Sequence, residues 1–197
     1  MHCLMIYAHP GEKSLSGALG QAFLEGLRAK GHSAEVIDLY REQFDPALAA
    51  DELYTREGFQ ISTPVKAYQE QLQKADIIAL AFPTWWQGTP AILKGFLDRV
   101  LTPGVAFEYQ GRKPKGLFTD KVAVILNCYD ASAFEVRSVN GDRAFKVLQK
   151  DVFGTCGIRK IFRVSVFSAG TSSERYRRKM LESARKLGME ISTVAMR

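Results

Sequence analysis

The chain has 197 residues, a formal charge of +6 and 46% hydrophobic residues, a make-up that fits one globular domain over residues 1–197 with a full core and argues against extended disorder. Its three cysteines, Cys3, Cys128 and Cys156, match neither a zinc pattern nor a CxxC pair, so a reducing compartment and no structural metal are expected. No apolar run reaches the roughly 18 residues that would span a bilayer, and residues 2–8 lack a signal peptide's basic flank, which together predict a cytoplasmic protein without membrane insertion. The basic balance favours anionic partners in general. Its densest cluster, Arg175, Arg177, Arg178 and Lys179, has no interleaved aromatics and reads as a solvated helix face, so no nucleic-acid partner is expected.

In chain order, His2 to Ala8 is an apolar run without helical period and predicts a buried strand. After His9-Pro10-Gly11, the residues Leu15, Leu19, Ala22, Phe23 and Leu27 recur at helical spacing from Ser14 to a stop at Gly31. Ser33 to Leu39 supplies a second strand, completing a βαβ unit with parallel strands and a right-handed crossover. Residues 40–62 read as an irregular excursion, with a turn at Asp45-Pro46 and a short helix near Asp51-Glu52-Leu53. Thr63-Pro64 opens a helix carrying Val65, Tyr68 and Leu72, which ends before Asp76. Ile77 to Phe82 is the third strand, stopped by Pro83, after which residues 83–89 leave the sheet as a loop. Thr89 is the expected N-cap and Pro90 the first residue of a helix burying Ile92, Leu93, Phe96, Leu97 and Val100. Residues 102–120 suit a hairpin or lid, with a short strand at Val105–Tyr109 and a polar tip from Gly111 to Gly116. Lys121–Asn127 and Ile161–Phe167 are the fourth and fifth strands, and the helix between them, Asp142–Val152, turns Phe145, Leu148 and Val152 to one side. Thr171-Ser172-Ser173-Glu174 forms a capping box for a last helix that Gly188 is expected to terminate.

Five alternating βα units predict an α/β fold: a three-layer, doubly wound, five-stranded parallel sheet of strand order 2-1-3-4-5. Its switch point lies between strands one and three, so the loops His9–Ser16 and 83–88, joined by the loop after Asn127, converge on one cleft. The first loop places His9, Lys13, Ser14 and Ser16 before a helix N-terminus, where free N–H groups and the macrodipole favour phosphate. It is neither a Walker loop nor a GxGxxG fingerprint, and a serine there serves equally as a plain N-cap. Trp85 and Trp86 are either core aromatics or a surface for a flat ligand, and their place after a strand end favours the ligand.

These stretches also resemble a known family. His9 with Ser14-Leu15-Ser16, Asp38-Leu39-Tyr40, the block Phe82-Pro83-Thr84-Trp85-Trp86 with Gly88 to Gly95, and Phe153 to Gly157 are similar to the flavodoxin-like NAD(P)H:quinone oxidoreductases related to DT-diaphorase and modulator of drug activity B. The resemblance implies a flavin, FAD with FMN as the alternative, that takes hydride from NAD(P)H and passes two electrons to a quinone or related small-molecule acceptor, in a homodimer to which the helix from Pro90 contributes. It assigns the flavin phosphates to His9, Ser14, Leu15 and Ser16, and the ring to Pro83, Thr84, Trp85 and Trp86. The segment Asn127, Cys128 and Tyr129, followed by Asp130, stands where many members carry Thr and paired glycines. Phe134 and Asn140 stand where some carry a tyrosine and a histidine near the flavin, so neither is an ordinary proton relay and both are assigned to the substrate pocket. Gln87 is left at the rim, and Cys128, with no adjacent histidine, is not expected to be a nucleophile. No residue is assigned a certain catalytic role, since the flavin would carry the chemistry. The alternative within this resemblance is a flavin- or nucleotide-binding regulatory subunit of a cation-efflux system.

Overall fold

The computed structural model describes residues 1–11 and 13–196. In chain order its elements are β1 (His2–Tyr7), α1 (Leu15–Arg28), β2 (Ser33–Asp38), a single 3-10 turn at Ala50–Glu52, α2 (Thr63–Lys74), β3 (Ile77–Pro83), α3 (Ala91–Val100), β4 (Phe107–Gln110), β5 (Lys113–Gly116), β6 (Val122–Cys128), α4 (Arg143–Lys146), β7 (Lys160–Val166) and α5 (Glu174–Met196). Five strands form a parallel sheet in the order β2-β1-β3-β6-β7. This is the expected 2-1-3-4-5 order once the separate antiparallel hairpin β4-β5 is set aside.

The central strands are buried on both faces, which is why Ile77–Phe82 and Val122–Leu126 read as unbroken apolar runs. Alternate residues go to opposite sides. Leu4, Ile6, Ile78, Leu80 and Ile125 pack with α2, α3 and the helix that includes Leu148, while Cys3, Met5, Ala79, Val124 and Leu126 pack with α1 and α5. β2 is an outer strand, and Val36 on it is correspondingly exposed.

Several boundaries differ from expectation. Gly188 does not end the last helix; α5 continues to Met196. Gly188 is instead where α5 lies against α1: a Cβ there would sit 2.2 Å from the carbonyl oxygen of Phe23, and one on Gly26 would sit 2.0 Å from that of Arg185. The glycine answers to close packing of two backbones, not to a chain reversal. The cap of α5 is Ser173, whose Oγ accepts from the Tyr176 N–H at 3.2 Å, while Glu174 pairs with Arg178. The expected box on Thr171 therefore slides by two residues. At α3 the cap position falls on Pro90, not Thr89, with no side-chain cap. At α2 the cap position is Ser62, whose hydroxyl donates to Glu52 at 2.7 Å instead of capping the helix. Pro83 still belongs to β3, opposite Cys128, because the ladder bond there is donated by Thr84 N–H to Cys128 O at 2.8 Å and needs nothing from the proline nitrogen. The helix expected over Asp142–Val152 forms as α4 and continues as a π-helical run, Val147–Phe153.

Candidate functional site

The loop after β1 is built around Tyr7 and Ser14. Ser14 caps α1 by accepting from Gly17 N–H at 2.9 Å, and its Oγ lies 2.7 Å from the Tyr7 hydroxyl. His9 folds back on its own turn, with Nδ1 held 2.9 Å from the Gly11 nitrogen, which leaves Nε2 as the outward ring atom. Among the described residues, nothing accepts from the N–H groups of Leu15 or Ser16. Such a helix start can receive an anion. Beside this turn a cavity of about 660 Å3 opens between His9, Pro10, Gly11, Asp38, Tyr40 and Arg41.

The loop after β3 is a two-residue reversal. Trp85 and Gly88 exchange both backbone hydrogen bonds, at 3.1 and 2.9 Å, and Trp86 and Gln87 between them hold φ of 51° and 59°. This is the left-handed geometry of a type I′ turn, which asparagine and glycine ordinarily occupy. Its effect is to hold Trp86 in solvent at 102% relative exposure, with Trp85 at 42%. Neither tryptophan is a core aromatic. A cleft of about 460 Å3 lies between Thr84, Trp85, Trp86, Gln87, Asp130 and Ala131. The N–H groups of Trp86, Gln87, Asp130 and Ala131 have no acceptor among the described residues, and Gln87 Oε1 is buried without a donor.

The end of β6 and the loop that follows it differ in character. Asn127, Cys128 and Tyr129 are buried, and their side chains turn into the protein. Asn127 spans Thr84 and Ser165. Tyr129 stacks on Phe167, ring centroids 5.3 Å apart, and Arg137 lies 5.0 Å over the other ring. Burial raises the Tyr129 hydroxyl above its ordinary pKa against the opposing pull of Asn127 and Thr84 beside it, with which it forms no well-aligned hydrogen bond. Burial also pushes the Cys128 thiol up to about 11, so it is protonated at neutral pH and unfit as a nucleophile. Phe134 is 73% exposed and Asn140 follows a π-helical turn, Glu135–Val139; neither lines the two cavities just described.

The sheet thus brings the three expected loops to its carboxyl edge: Ala8 N–H donates to Ala81 O, and Thr84 N–H to Cys128 O. Sequence reasoning missed Tyr7, Ser165 and Ala131, named Asp130 only as the end of the segment from Asn127, and placed Gln87 only at the rim. Ser165 carried a usable signal, since a lone hydroxyl in the run Lys160–Val166 needs a partner, and parallel register sets it beside Asn127. No group of three or more His, Cys, Asp or Glu that could hold a metal occurs among the described residues.

Known proteins share this fold. The sequence profile of the flavodoxin-like fold family matches residues 1–187. The chain is 32% identical to the rat ribosyldihydronicotinamide dehydrogenase [quinone] over 201 residues, covering 91% of this chain and 87% of the relative. It is 29% identical to rat NAD(P)H dehydrogenase [quinone] 1, over 93% of this chain and 74% of that one. The structure of NAD(P)H:quinone oxidoreductase from Methanothermobacter marburgensis superposes with a TM-score of 0.87 at 30% identity, covering 97% of this chain and 98% of the other. The chain belongs to the flavodoxin-like family that includes these quinone oxidoreductases.

Proposed function

We propose that the protein is a flavin-dependent NAD(P)H oxidoreductase that passes two electrons to quinones or related electron-poor acceptors. The observation that carries this reading is the ring of unpaired backbone donors at Trp86, Gln87, Asp130 and Ala131 around a cleft walled by both tryptophans, at the sheet edge where the relatives share this fold. Donors without acceptors, beside a flat apolar surface, suit a heteroaromatic ring with nitrogen and carbonyl oxygen at its edge. A bound flavin would supply the hydride acceptor and donor at one ring position.

In this reading the chain's residues bind and orient. The N–H groups of Leu15 and Ser16, with Ser14 and His9 beside them, hold the phosphates, and the length of this first loop favours FAD over FMN. Ser16 contributes through its backbone, because its side chain is buried against Cys128. Pro83 and Thr84 set the start of the ring site, and Trp85 and Trp86 supply its aromatic surface. The segment Asn127, Cys128 and Tyr129 shapes it from behind, and Asp130 and Ala131 face it. Trp86 and the exposed ring of Phe134 offer apolar surface to an acceptor, with Asn140 nearby in sequence as a polar neighbour. A cytoplasmic homodimer of single-domain subunits, using α3 at its interface, belongs to the same proposal.

The test is turnover by the flavin-reconstituted protein. NADH or NADPH oxidation should depend on added quinone. Stoichiometric flavin without turnover on any acceptor would favour the regulatory-subunit reading instead.

A further inference from the structure

A buried hydrogen-bond chain runs from β7 to the cleft. Ser165 and Asn127 are register partners across the β6–β7 ladder, 6% and 1% exposed, and their side chains meet at 2.6 Å. The carbonyl oxygen of an amide can only accept, so Ser165 Oγ donates to Asn127 Oδ1. In this orientation of the amide its Nδ2 faces Thr84. Asn127 Nδ2 then donates to Thr84 Oγ1 at 2.9 Å. Thr84 Oγ1 has accepted, and its own proton must be given elsewhere. Thr84 lines the cleft between Trp85 and Asp130, and beside it inside the protein lies the Tyr129 hydroxyl, which forms no well-aligned hydrogen bond with it. The donors run in one direction, from Ser165 through Asn127 to Thr84, a residue of the cleft wall.

We propose that Thr84 is a directed hydrogen-bond donor to the flavin ring, that Asn127 and Ser165 are the positioning residues that aim it, and that this donor raises the ring's reduction potential. The inference rests on the flavin reading above. Reduction adds electron density to the nitrogen and oxygen atoms at the ring's edge, and a fixed donor to those atoms stabilises the reduced form more than the oxidised one. A donor to the more negative form is about twice as strong as a neutral one, so the two redox states are held unequally. The neighbouring Cys128 stays protonated and offers no competing charge. The competing acceptor for the Thr84 proton is the buried, unpartnered Tyr129 hydroxyl. Were the proton directed there, the ring would not sense its loss.

The experiment is a reductive titration of the flavin-loaded protein against a reference dye, on wild type, Thr84→Val, Thr84→Ser and Ser165→Ala. Thr84→Val keeps the shape and removes the donor. It should lower the two-electron potential by about 30 mV, a tenfold change in the ratio of affinities for reduced and oxidised flavin. Thr84→Ser should restore the wild-type potential, and Ser165→Ala, remote from the cleft, should shift it downward by a smaller amount. A wild-type potential in Thr84→Val with flavin stoichiometrically bound, or in Ser165→Ala should the first variant not fold, overturns the inference. Failure of Thr84→Ser to restore the potential also overturns it. A wild type that takes up no flavin overturns the proposed function instead.

Discussion

At the scale of single residues, the most informative side chain is Trp86. A non-glycine residue in the left-handed region costs roughly 1–2 kcal/mol, and Trp86 and Gln87 both occupy it to display a fully exposed ring. Nothing in the packing of the protein rewards that arrangement, so the expense belongs to the site. Trp86→Gly should accordingly unfold at the same or a higher denaturant concentration than wild type, by up to about 1 kcal/mol, while flavin or acceptor affinity falls. A clear loss of stability in urea titrations would show that the indole is structural. The sequence announced these tryptophans because Pro83 and Gly88 bracket them, and the strand before them is apolar throughout. It did not announce where the side chains at the end of β6 and just beyond it point. Asn127, Cys128 and Tyr129 look like pocket residues by position, yet all three are buried inward, because register with β7 gives Asn127 a partner in Ser165 and Phe167 gives Tyr129 a stacking face.

At the scale of elements, the excursion between β2 and α2 is tied down by Arg99 of α3. Its guanidinium bonds both Glu52 oxygens, at 2.6 and 2.8 Å, and the Asp45 carbonyl at 2.5 Å. The Arg99 hydrogen bonds hold the Glu52 carboxyl down from 4.5 to about 2. A depressed carboxyl stabilises the fold above its unfolded pKa, and that contribution is lost as pH falls through the folded value. Glu52→Gln should therefore cost about 3 kcal/mol at pH 7, and the gap to wild type should close as pH drops from about 4.5 toward 2. A gap independent of pH in guanidinium unfolding would refute the assignment. The α1–α5 contact makes a second prediction. Gly188→Ala places a Cβ against the Phe23 carbonyl, and forced helix separation should lower stability by about 1–3 kcal/mol, whereas a terminating glycine would tolerate alanine better. Thermal denaturation with Gly31→Ala as comparison, where a Cβ meets nothing within 4 Å but φ is +75°, separates packing from backbone strain. Glycine is ambiguous in sequence for this reason: a helix stop and a helix crossing demand the same residue.

At the scale of the whole molecule, the alternation of strands and helices was legible from periodicity, since doubly buried strands and amphipathic helices leave different apolar spacings, and the strand order followed from the doubly wound architecture that five such units adopt. The convergence of three loops follows from that order, because β1, β3 and β6 are neighbours at the carboxyl edge. What topology could not give was chemistry. The N–H groups at Trp86, Gln87, Asp130 and Ala131, unpaired among the described residues, depend on backbone turns that no spacing rule encodes, and the proposed flavin site rests on them. Both tryptophans of the chain line that cleft, so its intrinsic tryptophan emission reports on one place. Titration of the flavin-free protein with FAD, and separately with FMN, should quench that emission saturably with an end point of one flavin per chain. Emission that is unchanged by either flavin, up to concentrations where unbound flavin dominates, would contradict the account.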